Sequence, residues 1–260
     1  MKKEETRTGE STVFEGMTSI SAILNGVADG VNDRRVLRVL VDRDKADARR
    51  KELSWLSHRA DEQGFTIETV EAGEIDALTT GSTHGGIIAE CSGRTVVPLT
   101  ADGIRPNGFY VMLEGIEDPY NFGYAIRSLY ACGVDGIVLS PRNWMSAGGV
   151  VCRSSAGASE RLPVYESEPT AAVGTFREAG YKIVCAGIRD SVSSFDADLR
   201  KPLFLIVGGE KRGISGAVLG QADTVVRIDY GRDFRGSLSA ASSATVLGYE
   251  VLRQNRSVSE

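Results

Sequence analysis

Cysteine and histidine are scarce in this chain. Four cysteines, Cys91, Cys132, Cys152 and Cys185, lie far apart with no Cys-x-x-Cys pair, and there are two histidines. Neither a disulfide framework nor a clustered zinc site is written here, so reduced thiols and no metal are expected. No apolar run approaches the ~20 residues of a membrane span. The charged opening MKKEETRTGE has no apolar segment behind it, so no signal peptide is visible. A soluble, cytoplasmic protein without a membrane partner is the expectation. An excess of positive charge is also missing. A formal net charge of -5 over 260 residues excludes a uniformly basic coat, though not a local basic patch. Familiar catalytic loops are absent as well. Gly208 and Gly213 have phosphate-loop spacing, but Ile214 stands where the loop's lysine belongs, which disfavours an NTPase. No Gly-x-Gly-x-x-Gly follows a strand, and no Gly-x-Ser-x-Gly elbow occurs. His58 sits in a charged helical stretch and reads as a surface residue.

What is present is ordinary globular chemistry, 42% hydrophobic and 25% charged, in a length that suits one large domain or two small ones. Residues 1–12 are polar and read as a loose tail. Residues 13–92 alternate strand and helix patterns. VLRVLVD (Val36–Asp42) is a β-branched run of strand length, residues 46–63 carry a helical period, and Gly64 follows as a C-cap. Residues 65–70 alternate like a strand, and IIAEC closes this small α/β domain. Gly93, Pro98, Gly103 and Pro106 punctuate residues 93–107, which reads as a linker.

Residues 108–260 form the second expected domain. It opens with FYVMLEGI, an apolar run suited to a strand buried on both faces. Asp118 then reads as a helix N-cap with Pro119 at the first helical position. Phe122, Ala125, Ile126, Leu129 and Tyr130 follow on one predicted apolar face. Further strands are predicted at 136–140, 181–187, 202–209 and 224–229, and helices at 170–179 and 239–253. This alternation predicts an α/β fold with a parallel sheet covered on both faces. Ligands in such sheets sit beyond the carboxyl ends of the strands, which directs attention to the loops after Ile116, Val207 and Asp229.

Three separated segments combine glycine, Arg, Asn, Glu and Ser: residues 113–139, 203–215 and 226–250. In the first, Asp118, Pro119, Asn121, Gly123 and Arg127 spell DPxNxGxxxR; in the second, Gly208, Glu210 and Gly213 spell GxExxG. Between them lies SSAGASERLPV (Ser154–Val164). In order and spacing these resemble the motifs of the SpoU/TrmH branch of the SPOUT RNA methyltransferases. Gly16 and His84-Gly85-Gly86 are similar to the small RNA-binding domain often fused ahead of those enzymes.

The resemblance implies transfer of a methyl group from S-adenosylmethionine to a ribose 2′-hydroxyl of structured RNA, rRNA more than tRNA. It also implies a homodimer and a trefoil-knotted second domain, the latter against the general rarity of knots. Arg127, Asn121 and Glu210 fall at the implied catalytic positions. A guanidinium is effectively always protonated and is no ordinary base, but it grips phosphate and lowers the pKa of a nearby hydroxyl. Asn121 and Glu210 would orient it. Gly208, Gly209, Gly213, Ile228, Ser237 and Leu238 fall at the implied cofactor positions. The glycines would let backbone approach an adenine edge, and Ile228 and Leu238 would either wall the adenosine or belong to the core.

The third motif departs from the family's SLNxS. Ser239 replaces its asparagine, Ala241 its second serine, and Asp229-Tyr230 stand in for Pro-Met. Asp229 would favour a sulfonium cation or distort the pocket. The alternative function is therefore a catalytically decayed relative that binds RNA without methylating it. The Arg/Lys-rich stretch from Arg34 to Lys51 is interleaved with aspartates and reads equally as a solvated helix face or an RNA patch.

Overall fold

The structure is a computed structural model and describes residues 12–79, 84–141, 147–209 and 213–256. In chain order the first elements are β1 (Val13–Glu15), α1 (Gly16–Ala28), β2 (Val36–Asp42), α2 (Arg43–Ala46), α3 (Arg50–Gln63), β3 (Thr66–Val70), α4 (Ala72–Leu78) and β4 (Ile87–Cys91). Then follow β5 (Val97–Pro98), β6 (Phe109–Glu114), α5 (Pro119–Ala131), β7 (Gly136–Leu139), α6 (Gly148–Ser154), β8 (Val164–Glu166) and α7 (Pro169–Glu178). The chain finishes with β9 (Lys182–Ala186), β10 (Val192–Ser193), β11 (Leu203–Gly208), α8 (Gly216–Leu219), β12 (Thr224–Arg227) and α9 (Ala240–Asn255). These elements form two compact units. One holds residues 12–79, 84–95 and 147–161, the other 96–141, 162–209 and 213–256.

The first unit is a four-stranded sheet in the order β1-β4-β2-β3, with β2 and β3 parallel and the other pairs antiparallel. The helix expected over 46–63 starts earlier and is broken. The Asp42 carboxylate accepts from the Asp44 amide at 3.1 Å and begins α2, and a 3-10 turn at Asp47–Arg49 separates it from α3. Gly64, at φ +76°, ends α3 in the left-handed conformation that glycine adopts without a Cβ penalty. Residues 147–161 pack in this unit, although they lie within the span expected as the second domain. Cys152 joins a core of Phe14, Ile20, Ile23 and Leu56. Glu160 meets Arg34 Nε at 3.2 Å with both side chains buried, and its backbone oxygen accepts from Asn32 at 2.7 Å. Arg94 donates to the Ser159 carbonyl at 2.6 Å.

The second unit is built on an eight-stranded sheet, order β10-β12-β9-β11-β6-β7-β8-β5, in which every pair is parallel. The stretch 93–107, expected as a linker, is structured: β5 pairs with β8 at one edge, and Ile104 is buried. Central β6 has β11 and β7 as neighbours, which accounts for its apolar run. Phe176 of α7 stacks on Phe204 of β11 at 4.0 Å between centroids and meets Tyr110 of β6 at 5.1 Å.

Helix α5 begins as the sequence predicts. The Asp118 side chain accepts from the Tyr120 amide at 3.1 Å and Pro119 opens the helix. Phe122, Ala125, Ile126 and Leu129 are buried, but Tyr130 is exposed, so the apolar face is narrower than expected. This face packs on α9, where Gly248 lets Leu129 and Cys132 approach.

Candidate active site

The parallel order brings the loops after β6 and β11 side by side. The Gly209 amide donates to the Glu114 carbonyl at 2.6 Å, and the Gly213 amide returns to the Gly209 carbonyl at 2.9 Å. A Cβ on Gly209 would collide with the Gly115 carbonyl, and one on Gly208 would lie 2.6 Å from the Gly213 carbonyl carbon. These two glycines are thus required by the chain's own backbone, where the sequence suggested a ligand edge. A small cleft of about 140 Å³ opens here, lined by Gly115, Ile116, Asp118, Asn121, Gly209 and Ala240 among others. Residues from all three motif segments therefore meet in one place. Glu210 lies outside the described residues.

A larger cleft of about 500 Å³ opens beyond the carboxyl end of β12. Ile228 and Leu238 line it, both half-buried, together with Phe195, Asp229, Tyr230 and Val246. Of the other expected cofactor positions, Gly209 lines the smaller cleft, and Gly208, Gly213 and Ser237 line neither; Ser237 is exposed. Phe195, a lone aromatic in the polar run SVSSFDAD, belongs to no motif or period of the sequence. Its one signal there is that isolation.

Three of the four departures in the third motif, Asp229, Tyr230 and Ser239, have a side-chain partner in the structure. The Asp229 carboxylate accepts from the Ser193 hydroxyl and receives Arg227 Nε at 2.9 Å. The Ser193 bond chiefly holds this carboxyl below the ordinary Asp value; desolvation opposes it, and the bond and charge of Arg227 add to the lowering. Asp229 is therefore a charge already answered within the sheet edge. The Tyr230 hydroxyl accepts from the Leu238 amide at 3.2 Å, and its ring meets Phe234 edge-on at 5.6 Å. Ser239 caps α9, accepting from the Ser242 amide at 3.1 Å. A serine suits that position as well as an asparagine does.

Arg127 is exposed on α5, and its side chain makes no hydrogen bond or ion pair with any described residue. It shares an exposed face with Tyr124, one helical turn before it, and with Tyr120, two turns before it. The basic stretch of the first unit behaves otherwise. Arg38 pairs with Glu90 and Glu68, Arg43 with Glu71, Lys45 with Asp42, Arg49 with Glu52, and Arg50 with Asp47. That pattern favours the solvated-face reading. Nearby, the structure brings Gly16, at φ +80°, close to His84. His84 is buried; its Nδ1 accepts from the Gly86 amide at 3.0 Å, which leaves Nε2 to donate to Asp76 at 3.0 Å.

Among the described residues no cluster of His, Cys, Asp or Glu forms a metal site, and no helix is long and apolar enough to cross a membrane. All four cysteines are buried. Burial pushes the Cys132 thiol up to about 11 and those of Cys91 and Cys185 to about 12.

An all-parallel sheet with clefts at the carboxyl ends of its strands, lined by loops that carry glycine and Asp, defines a class of α/β proteins that act on ligands at that edge. Residues 108–249 match the SpoU rRNA Methylase family, more than half of the chain, and the protein belongs to that family. Membership implies the trefoil knot in the second unit. The TrmH-family protein YacO of Bacillus subtilis is 29% identical over 209 residues, 77% of this chain and 82% of YacO. The 23S rRNA (guanosine-2′-O-)-methyltransferase RlmB of Shewanella oneidensis is 26% identical over 99% of this chain and all of its own length. Among solved structures, the SpoU methyltransferase AviRb of Streptomyces viridochromogenes, in complex with AdoMet, superposes with a TM-score of 0.74 at 24% identity, covering 98% of this chain and 95% of AviRb.

Proposed function

We propose that this protein transfers the methyl group of S-adenosylmethionine to a ribose 2′-hydroxyl of structured RNA in the cytoplasm, on rRNA rather than tRNA. The observation that carries the reading is the convergence of Asn121, Gly209 and Ala240, one residue from each motif segment, on a single cleft. The full-length similarity to RlmB, which acts on a guanosine 2′-oxygen of 23S rRNA, supports the choice of atom and of RNA.

The residues present suit the cofactor. Ile228, Leu238 and Val246 offer apolar walls to an adenosine, and Asp229, neutralised by Arg227, places no uncompensated charge there. Ile228, Leu238 and the backbone at Gly209 would hold S-adenosylmethionine, with Gly208, Gly213 and Ser237 shaping the loops around it. When bound, the cofactor supplies an electrophilic methyl group on a sulfonium. Productive transfer needs the hydroxyl oxygen roughly 3–3.5 Å from that methyl. Arg127 would hold an RNA phosphate and lower the hydroxyl's pKa by its charge, while Asn121 and Glu210 orient the surrounding loops.

A homodimer belongs to this reading. Tyr120, Tyr124 and Tyr130 of α5, with Val246 and Tyr249 of α9, are exposed on two helices that pack together, an apolar surface that a second copy would cover. Arg127 lies on the same exposed face, so a partner would bring it to a site rather than leave it in solvent. Asp229, Tyr230 and Ser239 are each bonded internally, which supports an active site rather than a decayed one.

Titration calorimetry with S-adenosylmethionine and S-adenosylhomocysteine, with and without total rRNA, tests the first step. Incubation with tritiated cofactor and nuclease mapping of the labelled nucleotide then tests the atom. Micromolar cofactor binding and a labelled 2′-O-methyl nucleotide are expected. No cofactor binding under either condition would sink this reading in favour of a non-methylating RNA binder.

A further inference from the structure

Two loops meet at the outer carboxyl edge of the second sheet. The segment after β9 is tied to β12 by the Gly187 amide on the Val226 carbonyl at 2.9 Å and by the Ser194 amide on the Arg227 carbonyl at 2.8 Å. The loop after β12 is held by Tyr230, through the Leu238 amide and the Phe234 ring. Together they expose Ile188, Phe195 and Phe234, at 76%, 74% and 56%. Phe195 and Phe234 stand on the larger cleft, so these rings rim a concave site instead of lying scattered on a surface. A cluster of exposed rings beside a cleft marks a binding surface more than a lone exposed apolar residue does.

Charged side chains flank these rings. Arg105, Arg177, Arg200, Arg227 and Arg253 of this unit each face a carboxylate. Arg189, Arg232 and Arg235, on the two ring-bearing loops, are paired with none among the described residues. Free guanidiniums beside exposed phenyl faces complement a ligand that has flat π-surfaces joined by phosphates. Asp190, Asp196 and Asp233 lie on the same loops, so phosphate attraction alone is muted and stacking carries more of the recognition.

We infer that Phe195 and Phe234, flanked by Arg189, Arg232 and Arg235, form a stacking platform for unpaired nucleotides of the RNA. The inference rests on the reading of RNA as the substrate and adds where, and in what conformation, the strand is held. Bases inside a duplex already stack on one another and offer no free face, so the platform selects loops, bulges or opened strands. Its place on the rim of the cleft assigned to the cofactor would keep a captured nucleotide at the same carboxyl edge of the sheet.

The test uses the full chain and a fluorescein-labelled 12-nucleotide oligoadenylate, read by anisotropy, with a duplex of the same length as comparison. Phe195→Leu with Phe234→Leu keeps an apolar wall but removes both π-faces; the matching double Tyr variant keeps them. Removing two stacking faces is expected to weaken oligoadenylate binding by about tenfold or more, while the Tyr variant binds like wild type. Arg232→Gln with Arg235→Gln is expected to flatten the salt dependence by about 0.7 in log–log slope for each phosphate that an arginine no longer neutralises. Wild type should prefer the single strand to the duplex. Unchanged binding by the Leu variant, equal weakening in the Tyr variant, a changed oligomeric state as the sole effect of the Leu variant, or no oligonucleotide binding by wild type would each overturn the platform. If wild type transfers methyl groups to RNA while the Leu variant binds normally, the platform fails and the enzyme reading stands. If the Leu variant binds more weakly while wild type transfers nothing, the platform stands and the enzyme reading fails.

Discussion

The Leu238 amide donates to the Tyr230 hydroxyl across eight residues, at 3.2 Å, and so closes the loop that bears the third motif on itself. The loop it closes is the one whose residues depart from the family's pattern. Tyr230→Phe removes the acceptor and leaves the ring against Phe234. A net hydrogen bond is worth about 0.5–1.5 kcal/mol, so affinity for S-adenosylhomocysteine is expected to fall roughly two- to tenfold by calorimetry. An unchanged affinity would show that the loop holds its shape without Tyr230.

The Arg127 side chain carries no bond to any described residue, so its removal should leave the fold alone. Arg127→Ala is expected to lower methyl transfer by about 10²–10⁴-fold, the range for removing proton-transfer assistance, with the melting temperature and cofactor affinity nearly constant. Equal turnover in mutant and wild type would remove Arg127 from the reaction.

Asp229 predicts a pH signature. Its carboxyl is held below the ordinary value by the Ser193 hydroxyl, with Arg227 adding to the effect. The stabilisation is complete above about pH 4, the unfolded value, and disappears as pH falls through the lower folded value. Wild type should therefore be more stable than Asp229→Asn between about pH 5 and 8, and the two urea midpoints should converge below about pH 4.

The Arg34–Glu160 pair is buried on both sides. Removing one partner strands a charge, so Glu160→Gln is expected to destabilise the first unit by about 3–5 kcal/mol in urea unfolding. Replacing both residues by Met should recover most of that stability, because the pair's own desolvation cost disappears with it.

Gly209→Ala is expected to lower the melting temperature, since its Cβ would press on the Gly115 carbonyl and force two backbone loops apart. Overpacking of this kind costs roughly 1–3 kcal/mol. A variant melting at the wild-type temperature would mean that the loops yield without cost.

Much of the second unit is legible in the sequence because its signals are local. Asp118 and Pro119 start α5, the run at Phe109–Glu114 is apolar because β6 is central, and three motif loops follow three parallel strands. Long-range pairings are not legible. Nothing near Glu160 announces that its partner lies 126 residues earlier, so local pattern groups residues 147–161 with their sequence neighbours. Gly208 and Gly209 do mark close approach, but what approaches is the chain's own backbone, a fact of register between β6 and β11. Helical position alone puts Tyr130 on the buried face, although that face extends only as far as α9 covers it. Phe195 and Tyr230 carry no periodic signal; their significance comes from loops that meet only in the folded sheet.

The placement of residues 147–161 in the first unit has a consequence for biogenesis. Translation delivers Thr95 well before Cys152 and Glu160, at about 5–20 residues per second. For some seconds the nascent first unit presents Arg34 without its carboxylate and a core without Cys152, while the strands β6 and β7 are already emerging. The amino-terminal unit therefore closes only after the first strands of the carboxyl-terminal sheet have been synthesised, and a ribosome-bound chain stopped short of Arg161 would be a more fragile species than its length suggests.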